Sequence, residues 1–311
     1  MKKALELLRN NQVVAMPTET VYGLAGSIES DEALRKIFST KERPFFDPLI
    51  VHISKHSQVL ELVKVFPDSA QLLTTKYWPG PLTIILEKSS KVSDLITSGL
   101  TTVALRMPNH PMALELISQF GSPLAAPSAN KFGKTSPTKA QHVRDEFKGE
   151  VYVLDGGDCE VGIESTIVSL TETEPKKVIL KLLRPGHIVL SELIKDLHQA
   201  GFEVEVHEKD LTVNAPGNMK HHYMPNKPLV IVESSLNGEA KIPVEYLNHF
   251  EMKLSDIPEL AARELYSQLR FSAEQSHDFI LFKRSPLHSG EKWDSIMDRL
   301  KKAATVKIEL S

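Results

Sequence analysis

The chain has 311 residues, 41% hydrophobic and 25% charged, the make-up of a globular protein with one large domain and a smaller one. Its 37 basic and 40 acidic side chains leave a net charge of −3, so no global field draws in nucleic acid and an anion site must be local. The single cysteine, Cys159, excludes an intrachain disulfide and a cysteine-rich zinc site, and reads as a small buried apolar residue.

The first residues, M-K-K-A-L-E-L-L-R, carry charge through their apolar positions, so they predict an amphipathic helix over 2–11 and not a signal peptide. No apolar run approaches the ~18 residues that span a bilayer, and a cytoplasmic protein is expected. A strand over 12–16 then runs into P-T-E-T-V-Y-G-L. Pro17 lacks a backbone donor, so the strand must end, bulge or lie at an edge there. Thr18, Glu19, Thr20 and Tyr22 follow, polar groups that would each cost about 1–3 kcal/mol if buried unpaired. Two readings stand level: a strand-to-helix turn capped by Thr18, or one wall of a binding site.

Asp31 is placed to cap a helix through 40, and K-E-R-P-F-F-D-P at 41–48 is a loop held by two prolines. Strands are predicted over 49–53, 82–86, 102–107, 123–126, 151–154, 165–170, 177–183 and 203–207, with 165–170 and 177–183 as neighbours. Helices are predicted over 57–66, 69–77, 111–120, 138–147 and 191–200. Composition shifts near residue 212, and N-A-P-G-N-M-K-H-H-Y-M-P-N-K-P at 214–228 has linker chemistry. A compact βαβα pattern follows, with strands over 229–233 and 279–283 and helices over 258–273 and 291–304. The expected division is therefore 1–210, a linker at 211–228 that can act as a lid, and 229–311. The last part has no glycine-rich phosphate loop and is assigned no nucleotide site of its own.

The large domain repeats one theme, a strand whose end carries groups suited to anions. Lys41 and Arg43 precede the strand L-I-V-H-I, whose His52 interrupts an apolar run. Arg106 ends T-V-A-L-R-M-P, and a buried arginine there needs an anionic partner. A-P-S-A-N-K-F-G-K-T-S-P-T at 126–138 offers hydroxyls and backbone N–H groups to a polyphosphate but lacks Walker A spacing. G-I-E-S-T-I at 162–167 and L-R-P-G at 183–186 repeat the pattern. One such segment is weak evidence, and five in one domain are strong.

In this order, P-T-E-T-V-Y-G-L, K-x-R-P with D-P-L-I-V-H, T-V-A-L-R-M-P, A-P-S-A-N with S-P-T, G-I-E-S-T-I and L-R-P-G closely resemble the YrdC/Sua5 family of L-threonylcarbamoyladenylate synthases. The resemblance covers residues 1–210 for a YrdC-like catalytic domain. The P-G-N-M-K-H-H-Y-M-P linker and the terminal unit resemble the Sua5-type extension. It implies an α/β fold: a twisted mixed-sheet catalytic domain plus a small Rossmann-like βαβα domain. It also implies a reaction of ATP, L-threonine and bicarbonate to threonylcarbamoyl-AMP and pyrophosphate, the first step of t6A formation in tRNA. Magnesium would accompany ATP, no tightly bound cofactor or protein-held metal is expected, and a downstream tRNA threonylcarbamoyl transferase would take the product. Binding of tRNA itself is not required.

Carried over by residue, the resemblance assigns Lys41 and Arg43 to catalysis at the phosphates. Thr20, His52, Arg106 and Ser165 would hold L-threonine, Arg106 through its carboxylate. Arg43, Asp47, Thr102, Ser128, Ser136, Arg184 and Tyr223 would surround ATP, with Tyr223 reaching back from the linker. Asp47 departs from the family's usual asparagine, and Lys131 from a small residue; Lys131 is read as solvated. The alternative is an RNA-binding module of the same fold, disfavoured by the net charge and by the lack of interleaved basic and aromatic residues. A carbamoyl-transfer domain like those of hydrogenase maturation ranks third.

Overall fold

In a computed structural model the described residues are 1–207, 222–235, 238–239 and 242–308. The chain begins with α1 (Lys2–Arg9), β1 (Val14–Met16), β2 (Gly23–Ser27), α2 (Asp31–Lys41) and β3 (Ile50–His52). It continues through α3 (Val59–Leu62), α4 (Asp68–Tyr77), β4 (Leu82–Glu87), α5 (Asp94–Thr97), β5 (Thr102–Arg106), α6 (Pro111–Phe120) and β6 (Leu124–Ala125). Then come α7 (Ala140–Phe147), β7 (Tyr152–Val153), β8 (Thr166–Glu174), β9 (Lys177–Arg184), α8 (Leu190–Gln199) and β10 (Glu203–His207). These strands form one mixed sheet in the order β10-β9-β8-β4-β5-β3-β6-β2-β1-β7.

Pro17 does end β1, but the turn after it leads to a strand. Thr18 Oγ1 accepts from the N–H groups of Thr20 and Val21, both at 3.2 Å, and donates to the Val21 carbonyl at 2.6 Å. The chain reverses into β2, antiparallel to β1 with Met16 opposite Gly23. The helix-cap reading of Thr18 is thus corrected: its hydroxyl closes a strand-to-strand turn. β2 went unpredicted because G-L-A-G-S lacks the β-branched residues that mark strands. Capping of α2 also moves by one residue. Ser30 is extended and its Oγ accepts from Ala33 N, whereas Asp31 is already helical. The helix predicted over 57–66 shrinks to a 3-10 turn and α3, because Val63 turns extended and bridges to Lys88.

Register brings the polar strand ends together. β3 and β5 are parallel with His52 opposite Arg106, and β4 lies parallel to β8 with Leu82 opposite Thr166. β8 and β9 are antiparallel neighbours, as predicted, so Ile167 faces Arg184.

The smaller unit comprises β11 (Leu229–Ser235), β12 (Gly238–Glu239), β13 (His249–Met252), α9 (Pro258–Glu274), β14 (Phe279–Arg284), α10 (Glu291–Ala303) and β15 (Ala304–Ile308). The expected βαβα core is present, but the sheet is larger. β13, β14, β11 and β15 run parallel, and β12 pairs antiparallel to β11. β13 and β15 are too short to show a clear alternation in sequence. Val21 and Ile163 of the large domain, with Tyr223, join Leu265, Tyr266 and Ile296 in one apolar cluster that spans the two units. No helix among the described residues is long and apolar enough to cross a membrane.

Candidate active site

A cavity of about 50 Å³ lies where β3, β5 and β9 end. Thr20, Arg43, His52, Arg106, Ser128, Arg184 and Tyr223 line it, together with Thr18, Glu164 and His222. Four more of the predicted residues touch these. Lys41 Nζ donates to the Ser128 carbonyl, Asp47 pairs with Arg43, Ser136 Oγ donates to Glu164, and Ser165 accepts from Arg184. Thr102 is not brought to the cavity. It sits opposite Glu87 at the far end of β5, four residues before Arg106, about 13 Å away at the usual strand rise. It therefore lies outside this cavity, apart from the other residues assigned to ATP.

One side of the cavity is built around Arg106. Its Nε donates to the Gly80 carbonyl at 3.3 Å, and its Nη2 lies 2.8 Å from Glu19 Oε1. The contact is an ion pair out of line for a hydrogen bond, and both Glu19 oxygens lack a hydrogen-bond donor among the described residues. Nη1 has no partner among the described residues. His52 Nδ1 is 3.2 Å from the Ile50 carbonyl, which places the ring proton on Nδ1 and leaves Nε2 as an acceptor. Burial and the Arg106 charge push this imidazole down to about 3, so it is neutral. Thr20 Oγ1 shares a hydrogen bond with Thr18 Oγ1 at 2.9 Å.

The other side gathers Lys41, Arg43 and Arg184. Lys41 Nζ also donates to the Asn130 carbonyl, and burial pulls its pKa well below the usual lysine range. Arg43 donates from Nε to the Asp47 carbonyl at 3.1 Å and from Nη2 to the Pro48 carbonyl at 2.8 Å, while Nη2 also meets Asp47 Oδ2 at 2.9 Å. Arg184 donates to the Ser165 carbonyl at 3.0 Å and to Ser165 Oγ at 3.1 Å. Ser165 Oγ in turn shares 2.7 Å with Thr83 Oγ1, so Ser165 orients Arg184 and does not line the cavity. Lys131, read as solvated, forms an ion pair with exposed Glu42 at 2.6 Å.

Sequence reasoning missed Glu164 and its partners from the second unit. Glu164 accepts from Ser136 Oγ at 2.6 Å, from Tyr266 Oη at 2.8 Å and from Arg299 Nε at 3.1 Å. Burial alone would raise its pKa, but Arg299, Arg184 and these hydrogen bonds bring it down to about 2. Tyr223 holds a left-handed backbone, φ +65°, and is fully buried against the cavity. The linker end is sewn down by Thr135 Oγ1 donating to the Tyr223 carbonyl at 3.2 Å and by Met224 N donating to the Gly133 carbonyl at 2.8 Å. Cys159 is buried and free, as its sequence context suggested.

Fold and cavity define an α/β protein that collects cations at strand ends, as a binder of polyanions must. Residues 6–186 match the Sua5/YciO/YrdC model, described as "Telomere recombination", and residues 188–305 match the C-terminal domain of threonylcarbamoyl-AMP synthase. The chain belongs to the Sua5/YrdC family of threonylcarbamoyl-AMP synthases. It is similar to the threonylcarbamoyl-AMP synthase of Pyrococcus abyssi, 37% identical over 98% of this chain and 94% of that one. The Bacillus subtilis threonylcarbamoyl-AMP synthase is 39% identical over 97% of this chain and 92% of that one. The crystal structure of Pyrococcus abyssi Sua5 complexed with L-threonine superimposes with a TM-score of 0.85 at 35% identity, covering 100% of this chain and 96% of that one.

Proposed function

We propose that this threonylcarbamoyl-AMP synthase acts as a nucleotidyltransferase on ATP, L-threonine and bicarbonate. Threonine and bicarbonate condense to an N-carboxylated threonine. A carbamate oxygen attacks the α-phosphorus of ATP, the bond from that phosphorus to the β-phosphate bridge breaks, and pyrophosphate leaves. The observation that carries this reading is the cavity lined by Arg106, His52 and Thr20 together with Arg43 and Arg184, with Lys41 behind it on the Ser128 carbonyl.

Arg106 receives the threonine carboxylate through Nη1, because Nε and Nη2 are held back by Gly80 and Glu19. Neutral His52 and Thr20 offer an acceptor and a hydroxyl to the rest of the amino acid. Arg43, Arg184 and Ser128 meet the phosphates, and Lys41 stabilises the charge that builds there. No nucleophilic side chain is needed, since the substrates supply the nucleophile and alignment supplies much of the acceleration. Magnesium arrives on the phosphates as part of the nucleotide substrate. Asp47 is a carboxylate on that side, as Glu164 is, and its pairing with Arg43 leaves the ion to the phosphates and water.

A cavity of about 50 Å³ has room for a few waters and not for a nucleotide, so the segment carrying His222 and Tyr223 lifts for ATP and closes over the labile mixed anhydride. The reaction belongs to the cytoplasm, with a tRNA-modifying transferase consuming the product. The test is pyrophosphate release from ATP, measured with and without L-threonine and bicarbonate. Release that needs both supports the reading. RNA binding without threonine-dependent release overturns it.

A further inference from the structure

The second unit sends one buried charge to the rim of the cavity. Arg299 on α10 is 0% exposed and forms three hydrogen bonds across the interface. It donates to Glu164 Oε2 at 3.1 Å, to the Glu164 carbonyl at 3.4 Å and to the Pro185 carbonyl. One side chain therefore ties G-I-E-S-T to L-R-P-G, the segments that carry Glu164 and Arg184. Its guanidinium also lies 5.8 Å from the Tyr223 ring. The interface is closely fitted: a Cβ on Gly162 would fall 2.4 Å from Arg263 Cα of α9.

Glu164 lines a cavity whose other charged lining residues are the arginines Arg43, Arg106 and Arg184. An uncompensated carboxylate there would repel a triphosphate, and low-dielectric surroundings would strengthen the repulsion. We propose that Arg299 is a positioning residue by which the C-terminal domain cancels the Glu164 charge and keeps the phosphate side of the cavity net positive. The inference rests on the proposed ATP chemistry and gives the second domain an electrostatic share in it. Tyr266 and Ser136 add neutral hydrogen bonds to Glu164, and among its hydrogen-bond partners in the described residues Arg299 alone adds a full charge.

The test is equilibrium titration of the full chain with a non-hydrolysable ATP analogue and magnesium, alongside KM values from pyrophosphate release. Arg299→Gln is expected to weaken the analogue and raise the ATP KM about tenfold, with the threonine KM moving less than about threefold. Glu164→Gln should bind the analogue at least as well as the parent chain. The double variant should return to within about threefold of the parent, because the carboxylate and its counter-charge are removed together. A merely structural clamp predicts instead that the double variant binds no better than Arg299→Gln, and that result overturns the inference. Should Arg299→Gln fail to fold, Arg299→Lys keeps the charge and should hold analogue affinity near the parent value whatever its melting temperature. A tenfold loss in that variant would equally overturn the inference. A parent chain that binds the analogue in this order but releases no pyrophosphate defeats the proposed reaction and leaves the charge balance standing. One that binds no analogue defeats both.

Discussion

The two units of this chain use parallel strands in similar ways, yet they treat charge at the strand ends oppositely. In the small unit Glu233 on β11 faces Arg284 on β14, and they pair at 3.1 Å while 35% and 28% exposed. Water screens such a pair, and it contributes little. In the large unit His52, Arg106 and Arg184 end three strands at 3–4% exposure, His52 beside Arg106 and Arg184 hydrogen-bonded to Ser165. Burial of that kind does not stabilise a fold and is often destabilising relative to apolar packing. The difference marks where the sequence keeps charge for binding rather than for folding.

The most severe way to break the comparison is to remove the small unit. A chain ending at His207 loses Tyr223 and Arg299 and exposes Val21 and Ile163. We expect pyrophosphate release to fall below detection while circular dichroism shows the large sheet still folded; full activity would reduce the second domain to an accessory. Arg106→Ala comes next. The threonine KM should rise about a hundredfold through loss of a charge-assisted contact, with the ATP KM changed less than about threefold. Equal effects on both would mean that Arg106 does not hold the amino acid. The substitution also strands Glu19, at a cost of about 3–5 kcal/mol. Arg106→Ala with Glu19→Gln should therefore regain stability in denaturant melts without regaining threonine affinity.

These sites differ in how far the sequence discloses them. His52 and Arg106 are legible because each interrupts an apolar strand, and the parallel register then makes them neighbours. Thr102 enters only through the resemblance, and it lies at the opposite end of β5 from Arg106. Glu164 sits in a recognisable segment, but its main partner lies 135 positions away. The local pattern M-D-R-L-K-K around Arg299 reads as an ordinary basic helix end. Pairing across a domain interface leaves no local periodicity, so only the folded chain exposes it. β2, β13 and β15 were hidden for a related reason: short or glycine-containing strands owe their state to neighbours and not to propensity.

Acid separates the two sides of the cavity. His52 is pushed from 6.5 to about 3, so the unfolded chain takes up its proton first, and the stability it supports is lost as pH falls from about 6.5 to about 3. His142 and His222, also held neutral by burial, share that window. Glu164 is depressed from 4.5 to about 2, so its contribution is full above about 4.5 and disappears between about 4.5 and 2. The two windows overlap between about 4.5 and 3, so the contrast lies outside that range. Denaturant midpoints against pH should show His52→Asn removing one proton's share of the slope above about 4.5, and Glu164→Gln flattening the slope below about 3. A change above about 4.5 from Glu164→Gln, or below about 3 from His52→Asn, would contradict the separation.

The smallest effect is expected at Asp47, and it sharpens the contrast between binding charge and folding charge. A buried carboxylate beside a phosphate site looks like a liability, since burial raises its pKa and Arg43 and Lys41 draw it back. Its side chain, however, is only one of three contacts that aim Arg43. The other two are the Asp47 and Pro48 carbonyls, which an asparagine leaves in place. Asp47→Asn keeps the shape and removes a competitor for the guanidinium, so turnover should stay within about fivefold and the ATP KM should fall or hold. Loss of all activity would give the carboxylate a task of its own on the phosphate side, such as sharing the magnesium ion that ATP brings. Steady-state kinetics at several magnesium concentrations would tell the two apart, because only the second makes the variant's defect depend on the metal.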